Sequence, residues 1–333
     1  MTSSDPHDDP SIGELGEAQV LQAVLARFGP SSAELGPGDD AAVIAAPGGR
    51  IVASVDTLVH GPDFRLAWTD GRDLGWKAAA VNLADIAAMG ARPTALLVAL
   101  TVPDATRLSM LTGIADGLRS ACEALAPGCA VEGGDLTVSD TLTIAVTALG
   151  VLDAGRFVTR AGARPGDVLA LAGDLGRAAT GLRLLFTRFR DHTGTPVPVD
   201  RGLLDADEAA AVDAQLRPHP PIAAGVAAAR AGAVAMMDVS DGLGLDASRL
   251  AAASGVTLDL DPTTLGPDVP TALAGGEDHA LLAAFGPSAA LPDGFRPIGR
   301  VLPGGPYPLT VAGTPYTERG GWDPYQDWDS ARG

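Results

Sequence analysis

The sequence predicts a two-domain protein of the α/β (α+β) class. Segments with strand character alternate with segments of helical apolar spacing, which is the pattern of strands and helices packed in layers. At 333 residues the chain is long enough for two domains. A glycine- and arginine-rich join at residues 153–167 separates two halves, and each half carries an apolar strand that ends in an acidic residue.

The first half is predicted to begin with a tail and then to alternate helices and strands. Residues 1–12 are polar and acidic, which is typical of disorder. Thr69 or Asp70 can cap a long helix that runs to Met89. The other predicted helices cover residues 14–28 and 105–125, and the predicted strands cover residues 41–45, 50–59, 93–102, 130–132 and 141–152. We place the first domain at residues 13–152.

The second half restarts with a strand, and we place the second domain at residues 153–333. Its predicted strands cover residues 168–172, 233–237 and 256–260, and its predicted helices begin at Gly176 or cover residues 206–216, 221–231 and 244–253. Asp238 directly follows the predicted strand at residues 233–237. The glycine- and proline-rich tail from Pro303 has no assigned element.

The charge balance excludes several classes of partner. The chain has 23 Lys plus Arg against 41 Asp plus Glu, a formal net charge of −18, which argues against nucleic acid or an anionic membrane. No apolar run reaches the length of a membrane span, and the N-terminus does not resemble a signal peptide. Cys122 and Cys129 match no zinc spacing and are interpreted as reduced thiols of a cytoplasmic protein.

Acidic side chains recur inside apolar or glycine-bracketed stretches. A carboxylate in such surroundings needs a partner to offset its desolvation, and basic residues are scarce here. Divalent cations such as Mg²⁺ or Mn²⁺, which take all-oxygen ligand sets, are the natural alternative. The carboxylates concerned are Asp39, Asp40, Asp56, Asp85, Asp135, Asp238 and Asp241. The sequence therefore predicts a multi-carboxylate Mg²⁺ site that handles a nucleotide polyphosphate.

Simpler interpretations stay open for several of these carboxylates. Asp39 and Asp40 also fit an Asp-rich turn, and Asp56 could pair with one of the few arginines, although strands are depleted in Asp. Asp241 could serve only as a helix N-cap. Gly133-Gly134-Asp135 is interpreted as a strand end whose glycines allow a phosphate to approach the backbone, but a Gly-Gly-Asp turn alone is a weak signal.

Further polar residues extend the predicted site. Asn82 and Asp85 lie three apart on one face of the long helix, whose apolar surroundings indicate that both are buried and need partners. Lys77 on the same helix either belongs to the site or is an ordinary surface residue. Candidate phosphate contacts are Ser240 and Arg160, and the glycine-bracketed segments at Glu277 and Trp322 are either specificity sites or surface turns.

Taken together, the motifs resemble those of the thiamine-monophosphate kinase family, in the superfamily that includes aminoimidazole ribonucleotide synthetase. The resemblance covers about residues 15–322. It rests on Ser54-Val55-Asp56-Thr57-Leu58-Val59, on residues 74–91, on Gly133-Gly134-Asp135, on Asp238-Val239-Ser240-Asp241-Gly242-Leu243, on Gly276-Glu277-Asp278, and on Gly321-Trp322-Asp323, which is similar to the start of the family's Gly-Trp-Asp-His-Phe pattern.

The resemblance implies an N-terminal α/β domain whose sheet pairs across a homodimer, and a C-terminal α/β domain. It implies that ATP is the co-substrate, that several Mg²⁺ ions assist, and that the γ-phosphoryl group passes directly to thiamine monophosphate to give thiamine diphosphate. Transferred by motif, the metal ligands are Asp40, Ser54, the backbone carbonyl of Val55, Asp56, Asp85, Asp135, Asp238 and Asp241. The ATP contacts are Gly134, Asp135, Arg160 and Ser240, and the thiamine phosphate contacts are Asp63, Glu277 and Trp322.

Three residues depart from the family pattern, and no general base is assigned. Asp63 stands where the family often has His, Val55 where it usually has Thr, and His279 where Tyr is frequent. A base is unnecessary because the acceptor is already a phosphate dianion.

Alternatives remain within the superfamily and outside it. Another ATP-using synthase or maturation enzyme stays open, but a selenophosphate synthetase would want a Cys near the N-terminal glycine-rich segment, and a hydrogenase-maturation relative would want a C-terminal Cys. Neither cysteine is present. From a different class, the chain could be a non-catalytic nucleotide or divalent-metal binding protein, and the retention of the whole aspartate set argues against this.

Overall fold

The computed structural model describes residues 9–11, 14–15, 17–28, 46, 49–318 and 320–322. Its helices are α1 Glu17–Leu25, α2 Gly71–Ala88, α3 Leu108–Leu125, α4 Arg177–Arg188, α5 Ala206–Leu216, α6 Ile222–Arg230, α7 Leu243–Ser254 and α8 Val269–Ala274. Its strands are β1 Ile51–Val59, β2 Arg92–Val102, β3 Ala130–Val138, β4 Thr143–Val151, β5 Val168–Ala172, β6 Ala235–Val239, β7 Val256–Leu260, β8 Ala280–Phe285, β9 Phe295–Pro303, β10 Leu309–Val311 and β11 Thr314–Pro315. Two 3-10 turns lie at Arg201–Leu203 and Pro262–Thr264.

Two mixed sheets organise the described chain. The first has the strand order β1-β4-β2-β3, in which only β2 and β3 run parallel. The second has the order β11-β10-β7-β9-β5-β8-β6, in which only β10 and β7 run parallel. Each sheet draws its strands from one half of the chain, and helices pack against both, so the predicted α/β (α+β) class is confirmed.

Helix α2 lies between the two halves. It contacts β1 and β4 of the first sheet, β6 and β8 of the second, and α3 and α6 beside them. Its small residues allow this close packing, because a Cβ added to Gly75 would lie 2.0 Å from the carbonyl oxygen of Ile114 on α3. One apolar core, which includes Leu83 of α2 and Phe285 of β8, is continuous across both halves. The domain division near residues 152 and 153 therefore stays a prediction.

The first sheet has one face turned away from α2. Ile51 and Val55 of β1 lie on this face and are 53% and 61% exposed. Residues paired across a sheet share a face. From β1 to β3 the register joins Thr57, Ala145, Ala99 and Asp135. Asp135 therefore lies on the exposed face, at the opposite edge of the sheet from β1.

Several element predictions need correction. β3 runs on to Val138, so Gly133-Gly134-Asp135 lies inside a strand and the prediction that it ends one was wrong. The glycine serves the strand pairing, since a Cβ on Gly134 would lie 2.0 Å from the carbonyl oxygen of Val98. The strand predicted at residues 233–237 instead covers Ala235–Val239, so Asp238 lies within it and not in the turn after it. The elements α8, β8 and β9 were not predicted, and the predicted strand at residues 41–45 lies outside the described residues.

Two further expectations concern tails and membranes. Of the predicted disordered residues 1–12, the structure describes residues 9–11, where the Asp9 carboxylate accepts hydrogen bonds from Ser109 at the start of α3. In the part of the chain that the structure describes, no helix is both long and apolar enough to cross a membrane.

Candidate active site

Helix α2 presents two polar side chains to strand β1. The helix is buried nearly all round, so its polar groups must find partners inside the protein. The Ser54 Oγ hydroxyl donates to Asp85 Oδ2 at 2.6 Å. The Asp56 backbone N–H donates to Asn82 Oδ1 at 3.0 Å, and Asn82 Nδ2 donates to the Ala78 carbonyl at 2.9 Å. These contacts bring three predicted ligand positions, 54, 56 and 85, to one side of the sheet.

Asp56, Asp85 and Asp238 form an acidic cluster between the two sheets. Burial raises the pKa of Asp56 to about 6, and the negative charges of Asp85 and Asp238 act in the same direction. Burial followed by the charge of Asp238 also raises the pKa of Asp85. Three carboxylates from β1, α2 and β6 thus lie near enough to repel one another, which favours binding of a cation among them.

His279 lies against this cluster. The ring is 4% exposed, and its Nδ1 lies 3.2 Å from Asp238 Oδ2. Burial alone would lower the pKa of His279, but the hydrogen bond and charge of Asp238, with the charge of Glu277, raise it. The ring supplies some of the positive charge that the acidic cluster needs. Sequence reasoning treated His279 only as a departure from a family pattern.

The turn from β6 into α7 brings Asp241 close to Asp246, a buried acid of α7. Asp241 Oδ2 lies 2.5 Å from the Arg249 guanidinium. Asp246 Oδ2 accepts from the backbone N–H groups of Asp241 and Gly242 at 3.0 and 3.1 Å, and burial raises the pKa of Asp246 to about 6. Asp241 makes no side-chain cap of α7, so the N-cap alternative was wrong. Asp246, fully buried on a helical face, was missed because its sequence context is that of an exposed helix position.

The loop between α8 and β8 closes on the β6–α7 turn. The Glu277 N–H donates to the Ser240 carbonyl at 2.8 Å. A Cβ on Gly276 would lie 2.3 Å from that same oxygen, so only glycine permits this approach. Glu277 and His279 have φ of 73° and 51°, a left-handed backbone that costs free energy outside glycine and is often found at functional sites.

Lys77, Glu277 and Asp63 meet beside this loop. Lys77 is 4% exposed, and its Nζ forms an ion pair with Glu277 Oε2 at 2.5 Å, so its interpretation as a surface residue was wrong. Asp63 Oδ2 accepts from the Val59 N–H at 2.7 Å. Burial raises the pKa of Asp63, the charge of Glu277 adds to the rise, and the charge of Lys77 opposes it. The two predicted thiamine phosphate contacts, Asp63 and Glu277, therefore lie in one electrostatic neighbourhood.

Asp278, within the same loop, has a structural role. Its Oδ2 and Oδ1 accept hydrogen bonds from the N–H groups of Arg177 and Ala178 at 3.0 and 2.8 Å. These are N–H groups of the first turn of α4, which no side chain of the N-cap residue satisfies. Asp278 therefore anchors the loop while its neighbours Glu277 and His279 face the candidate site.

Other predicted site residues lie at different distances from the acidic cluster. Burial raises the pKa of Asp85, and the charge of Arg160 is among the influences that oppose this rise. Trp322 is 39% exposed, and its backbone N–H donates to the Asp241 carbonyl at 3.1 Å, so the tail returns to the β6–α7 turn. Gly134 and Asp135 lie on β3, separated from Asp56 by β4 and β2, about 14 Å at the usual strand spacing. One chain does not bring Asp135 together with the cluster.

The donor chemistry of the cluster fits Mg²⁺. Its ligands would be hydroxyl and carboxylate oxygens, and burial raises the pKa of Asp56 and of Asp85, as expected for charged groups that gain from a nearby cation. Among the described residues no three acidic, His or Cys side chains converge into a complete metal site. Asp40, a predicted ligand, lies outside the described residues. The Val55 side chain is apolar and exposed on the opposite face, so only its backbone carbonyl is available.

Comparison with known proteins supports what the motifs indicate. The family model described as "AIR synthase related protein, N-terminal domain" matches residues 38–152. The thiamine-monophosphate kinase of Mycobacterium tuberculosis is 41% identical over 345 aligned residues, which cover 97% of this chain and 96% of that one. The chain belongs to the thiamine-monophosphate kinase family.

Solved structures agree with this membership. The thiamine monophosphate kinase of Aquifex aeolicus superimposes with a TM-score of 0.71 at 30% identity, covering 82% of this chain and 91% of that one. The structure "AaThiL complexed with AMPPCP and TMP" gives a TM-score of 0.69 at 28% identity, covering 92% and 96%. The fold and the sequence thus place the chain in the same family over nearly its whole length.

Proposed function

We propose that this chain is a kinase that transfers the γ-phosphoryl group of ATP to thiamine monophosphate, giving ADP and thiamine diphosphate. The observation that carries the proposal is the acidic cluster of Asp56, Asp85 and Asp238, where β1, α2 and β6 meet, in a chain whose relatives are thiamine-monophosphate kinases along its full length. A related solved structure contains AMPPCP and TMP, so one family member holds a nucleotide analogue together with the second molecule.

Mg²⁺ is the cation that we place at the acidic cluster. When bound, it supplies charge neutralisation and alignment of the phosphates, which is most of what phosphoryl transfer requires. Its proposed ligands in the described chain are Ser54, the Val55 carbonyl, Asp56, Asp85, Asp135, Asp238 and Asp241, with Asp40 added from outside the described residues. Ser54 and Asn82 hold the cluster in place through their hydrogen bonds to Asp85 and Asp56.

The remaining groups bind and orient the two substrates. Arg160 and Ser240 contact the phosphates of ATP, with Gly134 and Asp135 of β3. Glu277 and Asp63 offer negative charge to the cationic thiazolium ring of the acceptor, and the half-exposed indole of Trp322 offers a cation–π surface. No residue is needed as a base, because the attacking oxygen belongs to a phosphate dianion.

We further propose a homodimer whose partner completes the site. The exposed face of the first sheet carries Ile51 and Val55, and apolar sheet surfaces of this kind are commonly covered by a second subunit. Asp135 lies on that same face, about 14 Å from Asp56 within one chain. A second copy packed on the exposed face puts its own Asp135 at the shared interface, and we propose that it completes the site by reaching the α2 side around the β1 edge of this chain's sheet.

The division of labour follows the two sheets. Residues 13–152 form the nucleotide-, magnesium- and dimer-binding domain, and residues 153–333 add Asp238 to the acidic cluster and Glu277 and Trp322 to the acceptor side. We place the protein in the cytoplasm, where its two free cysteines remain reduced. Its net charge of −18 leaves nucleic acid and anionic membranes without a role.

An acceptor-dependent release of ADP tests this function. Purified protein is mixed with ATP and Mg²⁺, and ADP is measured with thiamine monophosphate, thiamine, or aminoimidazole-type acceptors. We expect release with thiamine monophosphate alone. Equal release with every acceptor, or with none, would instead favour the alternative of a nucleotide- or metal-binding protein or another synthase.

A further inference from the structure

Lys77 is a buried cation that the mechanism above leaves without a role. Its side chain is 6% exposed on α2, a helix whose residues are almost all buried. Burying an ammonium group is costly, so its surroundings must supply negative or polar partners. The partners of the Lys77 ammonium group therefore indicate its role.

Two elements of the second half hold the Lys77 ammonium group. Glu277 Oε2 of the α8–β8 loop lies 2.5 Å from Nζ. With its side-chain amide oriented to satisfy both of its neighbours, Gln215 of α5 accepts from Nζ at 3.1 Å and donates to the Ala178 carbonyl at 3.1 Å. Gln215 is itself 5% exposed, so this partner is as fixed as Lys77.

The ion pair acts on a residue whose backbone is held in an unfavourable region. Glu277 has a φ of 73°, which a side-chain-bearing residue adopts only when its surroundings enforce it. The hydrogen bond from the Glu277 N–H to Ser240 fixes the main chain at one end. Lys77 fixes the carboxylate at the other end, so the side chain has one direction.

The orientation leaves part of the carboxylate open. Oε2 is buried and faces Lys77, whereas the Glu277 side chain as a whole keeps 40% of its surface exposed. The charge of Lys77 also reaches Asp63, which lies within the influence of both groups. The Glu277 carboxylate and Asp63 thus lie on one side of Lys77, where their acidic groups can face the cationic ring of the acceptor.

We propose that Lys77 is a positioning residue for the acceptor: it holds Glu277 in its left-handed conformation with one carboxylate oxygen open, and so sets affinity for thiamine monophosphate. The inference rests on the proposed function of the same site. Lys77 itself touches neither substrate. Its effect passes through Glu277 and is separate from the handling of ATP at the acidic cluster.

Lys77→Met tests the proposal, because it keeps an unbranched side chain of nearly the same length and removes the charge. We expect the KM and the Kd for thiamine monophosphate to rise by about tenfold or more, while the KM for ATP stays within about twofold. Arg217→Met is the matched control. It removes a different ion pair of α2, between Asp73 and Arg217 just after α5 at 3.1 Å, without contacting Glu277, and we expect it to lower the melting temperature with little change in either KM.

A double variant shows whether Lys77 works through Glu277. Lys77→Met in a Glu277→Gln background should weaken acceptor binding no further than Glu277→Gln alone. Substitutions of two contacting residues that act together do not have additive effects. If Lys77→Met does not fold, Lys77→Arg keeps the charge but displaces it, and it should weaken acceptor binding several-fold at an unchanged melting temperature.

Three outcomes would overturn the proposal. Additive effects in the double variant, equal damage to the ATP and acceptor constants, or unchanged acceptor affinity in an active Lys77→Met or Lys77→Arg protein would each do so. A wild-type protein that neither binds thiamine monophosphate in calorimetry nor phosphorylates it would overturn the proposed function itself, and the role of Lys77 with it. The two failures are therefore distinguishable in one set of measurements.

Discussion

Asp85 and Asp238 come from different halves of the chain, α2 and β6, yet the charge of Asp238 adds to the rise that burial causes in the pKa of Asp85. Asp85→Asn and Asp238→Asn each remove one charge from the acidic cluster and preserve side-chain size. We expect each to lower kcat by at least about 100-fold, because aligned charge at the transferring group contributes several kcal/mol. The measurement is ADP release at saturating Mg²⁺, with circular dichroism to confirm the fold.

A matched control is Asp259→Asn on β7. Asp259 is also buried, but it pairs with Arg300 at 3.0 Å and lies outside the acidic cluster. This variant should lose stability and keep its turnover. If Asp85→Asn or Asp238→Asn retains most of the wild-type rate, that residue is not part of the phosphoryl-transfer site.

The pKa values of Asp56 and Asp246, each raised to about 6, predict how stability depends on pH. Between about pH 4 and pH 6 the folded chain binds more protons at these groups than the unfolded chain does, so the free energy of unfolding falls as pH rises through this window. Mg²⁺ should reduce the fall, because a cation stabilises the charged form of Asp56.

Denaturant titrations at pH 4.5 and 6.5, with Mg²⁺ or with a chelator, measure this dependence. Asp246→Asn should reduce the part of the pH dependence of stability that Mg²⁺ does not change. A free energy of unfolding that rises across this window without metal would contradict the raised pKa values.

At the scale of elements, the position of α2 depends on close contacts that only glycine allows. A Cβ at position 75 would lie 2.0 Å from the Ile114 carbonyl oxygen, and Gly117 of α3 makes a similar approach to Arg72. Gly75→Ala should therefore destabilise the protein by about 1–3 kcal/mol through overpacking. It should also lower activity at temperatures where the protein is folded, because α2 carries Lys77 and Asp85.

Gly286→Ala is the control for this substitution. A Cβ there meets nothing within 4 Å, so stability and activity should stay close to wild type. If Gly75→Ala and Gly286→Ala lowered the free energy of unfolding equally in chemical denaturation, Gly75 would not be needed for the close packing of α2 on α3.

Elements with a clear apolar pattern could be predicted from the sequence, and features set by tertiary contacts could not. The apolar character of α2 all round its axis predicted a buried helix with buried Asn82 and Asp85, which the structure confirms for Asn82 and largely for Asp85. The continuation of β3 through Gly133-Gly134 was missed, because glycine pairs normally indicate a turn, whereas here Gly134 allows close approach to β2 within a strand. The ion pair of Lys77 was also missed, since its partner Glu277 lies 200 positions further along the chain.

At the scale of the whole molecule, the sheet register separates Asp135 from the acidic cluster and makes dimerisation testable by mixing. Asp85→Asn and Asp135→Asn proteins are each expected to be nearly inactive. If Asp135 acts across the dimer, a mixed dimer contains one intact site, so refolding a 1:1 mixture should restore about a quarter of wild-type activity. No recovery in a mixture that light scattering shows to be dimeric would place Asp135 in the same chain's site or outside it.

The most direct measurement follows the phosphoryl group itself. The protein is incubated with Mg²⁺, thiamine monophosphate and ATP labelled at the γ-phosphate, and the products are separated by chromatography. Direct transfer at the acidic cluster predicts that the label appears in thiamine diphosphate in an amount equal to the ADP formed, and that Asp238→Asn abolishes both. Label released as inorganic phosphate, with thiamine monophosphate unchanged, would contradict the proposed function.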